Sequence, residues 1–151
     1  MVEAGIETPF GRLGLIEEQG AITRLLWQSD APEPSTPLLQ SAAEQLNAYF
    51  AGETRSFDLE LRPSGSGFQQ SVNAVMQAIP FGETRAYGEI AQELGASAQA
   101  VGNACGGNSI PIIIPCHRVL GANGLGGFSG DGAVETKVKL LIHEGAAGLL
   151  I

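Results

Sequence analysis

Residues 108–119 read Asn-Ser-Ile-Pro-Ile-Ile-Ile-Pro-Cys-His-Arg-Val. An apolar, β-branched run between two prolines, uncharged before Arg118, predicts a buried extended segment. Such a segment would deliver Cys116 to the floor of a pocket, with His117 beside it. A thiol becomes a strong nucleophile once it is ionised, and a nearby imidazole or cation can lower its pKa. Cys116 is therefore the candidate nucleophile, the alternative being the small buried hydrophobe that free cysteines usually are.

The composition indicates a folded, globular chain. Its 151 residues are 44% hydrophobic and 16% charged, enough for one or two small domains with a core. No secretory pattern occurs at the N-terminus and no apolar run nears the roughly 18 residues of a membrane span, so a cytoplasmic location without membrane contact is expected. Cys105 and Cys116 form neither a disulfide framework nor a Cys-x-x-Cys metal pattern, so no metal site is predicted.

The charge distribution argues against a general nucleic-acid binder. The net charge is −8, with four Lys/Arg against ten Asp/Glu in residues 1–67 and four against six in residues 68–151. Phosphate contacts need Lys and Arg. Any DNA binding is therefore expected to be weak and salt-sensitive.

The N-terminal part has the pattern of a small α/β domain over residues 1–62. Residues 11–16 and 21–27 predict two strands joined by a tight turn, and residues 57–61 alternate like a third strand. Ser35 or Thr36 could cap a helix that ends near Gly52. Residues 63–67 form a polar linker, so residues 68–151 make a second domain.

The second domain has a helical period. Phe68 to Ile79 forms an amphipathic helix that Pro80 stops, and short helices are predicted over residues 87–94 and, capped by Ser97, to about residue 106. Two short helices around a Gly-Ala turn are typical of a helix-turn-helix. Many protein cores contain helix pairs, so the spacing alone is a weak signal of DNA binding.

Three motifs together resemble those of the O6-alkylguanine-DNA alkyltransferases. They are residues 108–119, the run Ile-Pro-Phe-Gly-Glu-Thr-Arg-Ala-Tyr-Gly-Glu-Ile-Ala at 79–91, and His-Glu-Gly at 143–145. The resemblance covers about residues 68–145 and, more faintly, 1–62. It implies an α/β protein with a small β-rich, ribonuclease H-like N-terminal domain and a helical C-terminal domain containing a winged helix-turn-helix.

The resemblance also implies an activity. Members flip an O6-alkylated guanine out of double-stranded DNA and transfer the alkyl group to a cysteine, here Cys116, once per molecule and without a cofactor. O4-alkylthymine stays open as a second substrate, and a monomer is expected. Glu144 would orient His117 in an acid–imidazole–water–thiol relay, and Asn108 would brace the turns around the site. Tyr87 would press on the phosphate and donate a proton to O6. From the residues alone, Glu144 could instead be part of a helix cap, Asn108 a turn residue and Tyr87 a part-buried core tyrosine.

The DNA-binding positions follow from the same resemblance. Small side chains at Ala98, Ala100 and Gly102 would let the second helix of the motif approach the minor groove, although tight helix packing would also explain them. Contacts to the guanine edge are implied for Val119 and Ser129. Arg118 is either a structural or phosphate contact or, alternatively, part of a buried ion pair.

Gln99 departs from the family pattern. Members usually carry an arginine there, which fills the gap left by the flipped nucleotide, and a neutral amide does this less well. Two interpretations follow: a slower alkyltransferase, or a lesion-binding or winged-helix regulatory protein that recognises DNA without transfer. The presence of Cys116 favours transfer.

Overall fold

The computed structural model describes residues 1–121 and 134–146. The chain divides into two compact units, Met1–Pro63 and Ser64–Ile151. In the part of the chain that is described, no helix is long and apolar enough to cross a membrane.

The N-terminal unit is built on an antiparallel sheet of three strands in the order β1 (Val2–Thr8), β2 (Gly11–Glu18) and β3 (Ala21–Leu26). Strand β1 was not predicted, because Gly5 interrupts its apolar alternation. Gln19 and Gly20 both have positive φ, which is the backbone form that a two-residue hairpin turn requires. Helix α1 (Pro37–Phe50) places its apolar stripe in the core, and Thr36 is its cap: the Thr36 Oγ1 accepts a hydrogen bond from Leu39 N at 3.1 Å.

The strand predicted over residues 57–61 is wrong. Only Leu61 pairs, in an isolated parallel bridge with Ile22. The reason lies in the Gln45 side chain on α1, which donates to Asp58 O at 3.0 Å and accepts from Asp58 N at 2.7 Å. The backbone of Asp58 is thus satisfied by a side chain rather than by a neighbouring strand.

The C-terminal unit is mainly helical. Its elements are α2 (Gly67–Gln77), β4 (Arg85–Ala86), α3 (Tyr87–Leu94), α4 (Ala98–Gly106), a 3-10 turn (Cys116–Arg118), β5 (Val119–Leu120) and α5 (Val134–Glu144). The predicted helix-turn-helix is confirmed: Gly95 ends α3 in the left-handed conformation, and Ser97 Oγ accepts from Ala100 N at 3.1 Å to begin α4. Strands β4 and β5 pair in parallel, which brings Val119 beside Arg85, two residues before Tyr87.

The extended conformation predicted for residues 110–115 is wrong, although the segment is buried as expected. It folds back on itself: Ile113 N donates to Pro111 O and Ile114 N donates to Ile110 O, both at 2.9 Å. Ile112 has a φ of 72°, outside the β region. Proline has no N–H for a sheet ladder, so the two prolines work against an extended pairing and in favour of a tight loop.

Candidate active site

Asn108 closes the loop that carries Cys116. Its Nδ2 donates to Ile114 O at 2.8 Å and its Oδ1 accepts from Ile110 N at 3.0 Å. The Asn108 side chain is buried, so these bonds replace backbone pairs that the tight loop cannot make. Cys116 follows as the first residue of the 3-10 turn and is 3% exposed.

The thiol of Cys116 is less acidic than the sequence analysis expected. Burial raises its pKa to about 11, and this outweighs the lowering by a hydrogen bond from Asn108 and by the positive charge of Lys137. The charged form is disfavoured because Cys116 and the isoleucines that precede it are buried away from solvent. At neutral pH the resting thiol is therefore protonated, and a base must remove its proton when it reacts.

His117 has the arrangement of such a base. Its Nε2 lies 2.7 Å from Glu144 Oε2, and both side chains are fully buried. Burial lowers the pKa of His117, in spite of the opposing effect of Glu144, so the imidazole is neutral. A carboxylate accepts only, so Nε2 carries the proton and Nδ1 carries the lone pair. Among residues 1–121 and 134–146, no group bonds to Nδ1.

Arg118 forms the buried ion pair that the sequence analysis held as an alternative. Its Nε and Nη2 donate to the two oxygens of Glu144 at 2.8 and 2.9 Å, and its Nη1 donates to Ile79 O at 2.7 Å. The DNA contact predicted for Arg118 is therefore wrong for this structure, since all three nitrogens are engaged inside the protein. The guanidinium instead fixes the Glu144 carboxylate in the orientation that meets His117.

Lys137, which the sequence analysis missed, joins Tyr87 to the site. It is fully buried, and its Nζ donates to Val119 O at 2.7 Å and to the Tyr87 hydroxyl at 3.3 Å. Burial lowers the pKa of Lys137, while the thiols of Cys116 and Cys105 raise it. One signal was available: Lys137 stands seven residues before Glu144 and three before the buried Leu140, so it shares the inner face of α5.

Two other titratable groups adjoin the site. Burial raises the pKa of Tyr87 to about 12, with smaller contributions from the two thiols. Burial likewise raises the pKa of Cys105 to about 12, with a further contribution from Cys116. Tyr87 thus keeps its proton as a donor, and Cys105 is the less reactive of the two cysteines.

The outer face of α4 contains the predicted DNA-binding positions. Ala98 and Gln99 are exposed, and Ala100 and Gly102 are half-buried. A Cβ built on Gly102 would meet no atom within 4 Å among the described residues. Tight packing, the alternative explanation for small residues here, therefore does not account for Gly102.

Val119 and Ser129 are the two residues predicted to contact the guanine edge. Val119 is buried in β5, and its carbonyl already accepts from Lys137. Ser129 lies outside the described residues. Within those residues, no group of three His, Cys, Asp or Glu side chains could hold a metal ion.

Comparison with known proteins decides the family. Residues 67–146 match the family described as "6-O-methylguanine DNA methyltransferase, DNA binding domain". Residues 1–63 match its companion, "6-O-methylguanine DNA methyltransferase, ribonuclease-like domain". The chain belongs to the 6-O-methylguanine DNA methyltransferase family.

Relatives within this family are similar over most of their length. A Mycobacterium bovis protein named methylated-DNA–protein-cysteine methyltransferase is 48% identical over 149 residues, covering 92% of this chain and 89% of the relative. The constitutive protein of that name from Bacillus subtilis is 39% identical, covering 90% and 89%. The crystal structure of Mycobacterium tuberculosis OGT in complex with DNA superposes with a TM-score of 0.84 at 43% identity, covering 96% of this chain and 93% of that one.

Proposed function

We propose that this family member is a direct-reversal DNA repair enzyme that transfers the alkyl group of O6-alkylguanine in double-stranded DNA to Cys116. One observation carries the assignment of the acceptor: Cys116 directly precedes a buried, neutral His117 whose Nε2 is bound to Glu144 and whose Nδ1 has no partner in the described structure. The activity agrees with the names of the relatives, and DNA as partner agrees with the relative solved in complex with DNA.

The proposed reaction is a single displacement. His117 Nδ1, acting through a water molecule, takes the proton of the Cys116 thiol, and Glu144 stabilises the imidazolium that results. The sulfur then attacks the alkyl carbon. The bond between that carbon and O6 breaks. The electron pair of this bond leaves with the purine, which takes up a proton. A thioether is left on Cys116, and because its C–S bond is not readily broken, each molecule acts once.

Tyr87 and Lys137 suit the proton donation and the charge that the displacement creates. The raised pKa of Tyr87 keeps its hydroxyl protonated and so able to donate, and Lys137 Nζ donates to the hydroxyl oxygen. The buried ammonium of Lys137 also stabilises negative charge on the Cys116 sulfur. We assign Tyr87 as the proton donor to the purine and Lys137 as its positioning residue.

The DNA side of the proposal rests on α4. The small Ala98, Ala100 and Gly102 would let the helix approach the duplex closely, with Gln99 entering the space of the flipped nucleotide. Val119 and Ser129 are proposed to contact the guanine edge. A structural role for residues 1–62, the linker at 63–67, the transfer domain at 68–151, the monomeric state and the cytoplasmic location stay predictions from the sequence.

The experiment is stoichiometric transfer. The protein is incubated with duplex DNA that contains one O6-methylguanine, and the intact chain is then weighed and digested for peptide mapping. We expect one added methyl group per chain, located on Cys116, with Cys105 unmodified. The matched control is Cys116→Ser, which should bind the duplex and gain no mass.

A different result would favour the alternative function. Tight binding to the lesion without any mass gain in the wild-type chain would indicate a lesion-binding or regulatory protein. A methyl group found on another residue, or on Cys116→Ser, would show that the acceptor was assigned incorrectly.

A further inference from the structure

Half of the lysines and arginines in the C-terminal unit are buried inside it. Residues 64–151 contain four Lys and Arg, all of them among the described residues. Arg118 and Lys137 are buried and bound to protein oxygens. Arg85 and Lys139 are therefore the two cations of this unit that can reach a DNA phosphate.

Arg85 lies two residues before Tyr87, the residue expected to press on the DNA phosphate. It belongs to β4, and its side chain is 28% exposed. Ala86, between Arg85 and Tyr87, is extended, with φ −87° and ψ 147°. Arg85 thus stands two residues before Tyr87, at the start of the helix that opens the helix-turn-helix.

Two carboxylates on α3 hold the Arg85 guanidinium. Its Nη2 donates to Glu93 Oε1 at 3.2 Å, and its Nε lies 3.5 Å from Glu89 Oε2. Glu89 also makes a second contact, because its Oε1 accepts a hydrogen bond from Ala86 N at 3.2 Å at the start of α3. Among the described residues, the Glu93 carboxylate makes no other hydrogen bond or ion pair than the one with Arg85.

We propose that Arg85 is a phosphate-binding residue of the DNA face, and that Glu93, with Glu89, holds it in the free protein and competes with the phosphate. The proposal rests on the proposed function, since it needs duplex DNA as the substrate. Exposed ion pairs are weak, whereas a guanidinium binds a phosphate through two parallel hydrogen bonds. DNA can therefore displace the carboxylates, but at a cost that lowers the affinity. Residues 89 and 93 thus set how tightly the enzyme binds DNA.

The test is a set of binding measurements in the full chain carrying Cys116→Ser, so that no transfer interferes. The anisotropy of a labelled duplex containing O6-methylguanine gives Kd at several salt concentrations. Glu93→Gln should tighten binding roughly two- to fivefold, the range that an exposed ion pair allows. Arg85→Gln should weaken binding and reduce the slope of log Kd against log salt by about one, as expected for one lost phosphate contact.

Two controls separate this mechanism from a general loss of negative charge. Glu83→Gln removes an equal charge from an exposed position two residues before Arg85, where no ion pair occurs among the described residues, and should tighten binding less than Glu93→Gln. In the double variant with Arg85→Gln, the gain from Glu93→Gln should disappear.

Three results would overturn the inference: equal gains from Glu83→Gln and Glu93→Gln, a gain that persists without Arg85, or an Arg85→Gln variant with unchanged Kd and salt slope. Failure of the proposed function would look different. In that case the wild-type chain would gain no mass at Cys116 from either duplex O6-methylguanine or free O6-benzylguanine. This result would not depend on the binding constants of the Arg85 and Glu93 variants.

Discussion

The buried cluster around Cys116 and the outer face of the helix-turn-helix use charge in opposite ways. In the cluster, the cations Arg118 and Lys137 and the anion Glu144 are all buried and hydrogen-bonded. Helices α3 and α4 contain two glutamates and no lysine or arginine, and Gln99 is exposed on the second helix.

This difference separates the two demands on the enzyme. The groups proposed for transfer are held in place by hydrogen bonds before substrate arrives, and an arrangement fixed in advance costs no reorganisation during the reaction. The DNA face offers few attractive charges to a polyanion, so binding and base flipping depend on close approach. We therefore expect cluster substitutions to slow reaction with any alkylguanine and face substitutions to act mainly on duplex DNA.

The largest effect is expected from His117→Ala. Removing the base should slow alkylation by about two to four orders of magnitude, on duplex O6-methylguanine and on free O6-benzylguanine alike, because both need the thiolate. Single-turnover rates provide the measurement. His143→Ala, on the same helix as Glu144, is the matched control and should react at the wild-type rate. A His117→Ala variant that keeps its fold and its rate would remove the relay from the mechanism.

Lys137→Met should follow, with a loss of about ten- to a hundredfold on both substrates. The substitution keeps much of the side-chain volume but removes the charge near the sulfur and the donor to Tyr87. The pKa of Cys116 should rise further, because Lys137 lowers it in the wild type. Lys139→Met, at an exposed position of the same helix, controls for general charge. Equal rates for the Lys137 and Lys139 variants on O6-benzylguanine would contradict the role of Lys137.

Gln99→Arg tests the DNA face alone. A guanidinium at position 99 can stack in the gap left by the flipped base and donate several hydrogen bonds to the duplex. Repair of duplex O6-methylguanine should therefore become roughly three- to tenfold faster. The rate with free O6-benzylguanine, which requires no flipping, should change less. Equal acceleration of both reactions, or of neither, would show that position 99 does not stabilise the flipped state.

The smallest effect concerns stability in alkali. Burial raises the folded-state pKa of Cys116 to about 11 and those of Cys105 and Tyr87 to about 12, above the ordinary values of 9.0 for cysteine and 10.0 for tyrosine. The unfolded chain therefore loses these protons first. The stabilisation is complete below about pH 9 and declines as the pH rises towards 11 and 12. The lowered pKa of Lys137 changes the stability in the opposite direction, but Lys137 is one group against three.

Calorimetric Tm values between pH 8 and pH 11 measure this decline. Cys105→Ala removes one of the three groups without touching the proposed acceptor, so its Tm should fall less steeply with pH than that of the wild type. A wild-type Tm that stays constant or rises over this range would contradict the burial of these groups.

Local signals predicted one part of the molecule well and long-range contacts determined the rest. The Gly95 turn and the Ser97 cap lie within a few residues of the helices they bound, so the helix-turn-helix was predictable. The loop before Cys116 was not, because its shape depends on an Asn108 side chain that bonds six residues away. Lys137 was missed for a similar reason: its partners Tyr87 and Val119 are 50 and 18 residues distant.

Reaction with free O6-benzylguanine, in the absence of DNA, tests most directly whether the buried cluster performs the transfer by itself. Intact-mass analysis of the wild-type protein should show one benzyl group per chain, and peptide mapping should place it on Cys116 and not on Cys105. A chain that binds duplex O6-methylguanine but gains no benzyl group, or gains it equally on both cysteines, would contradict the account.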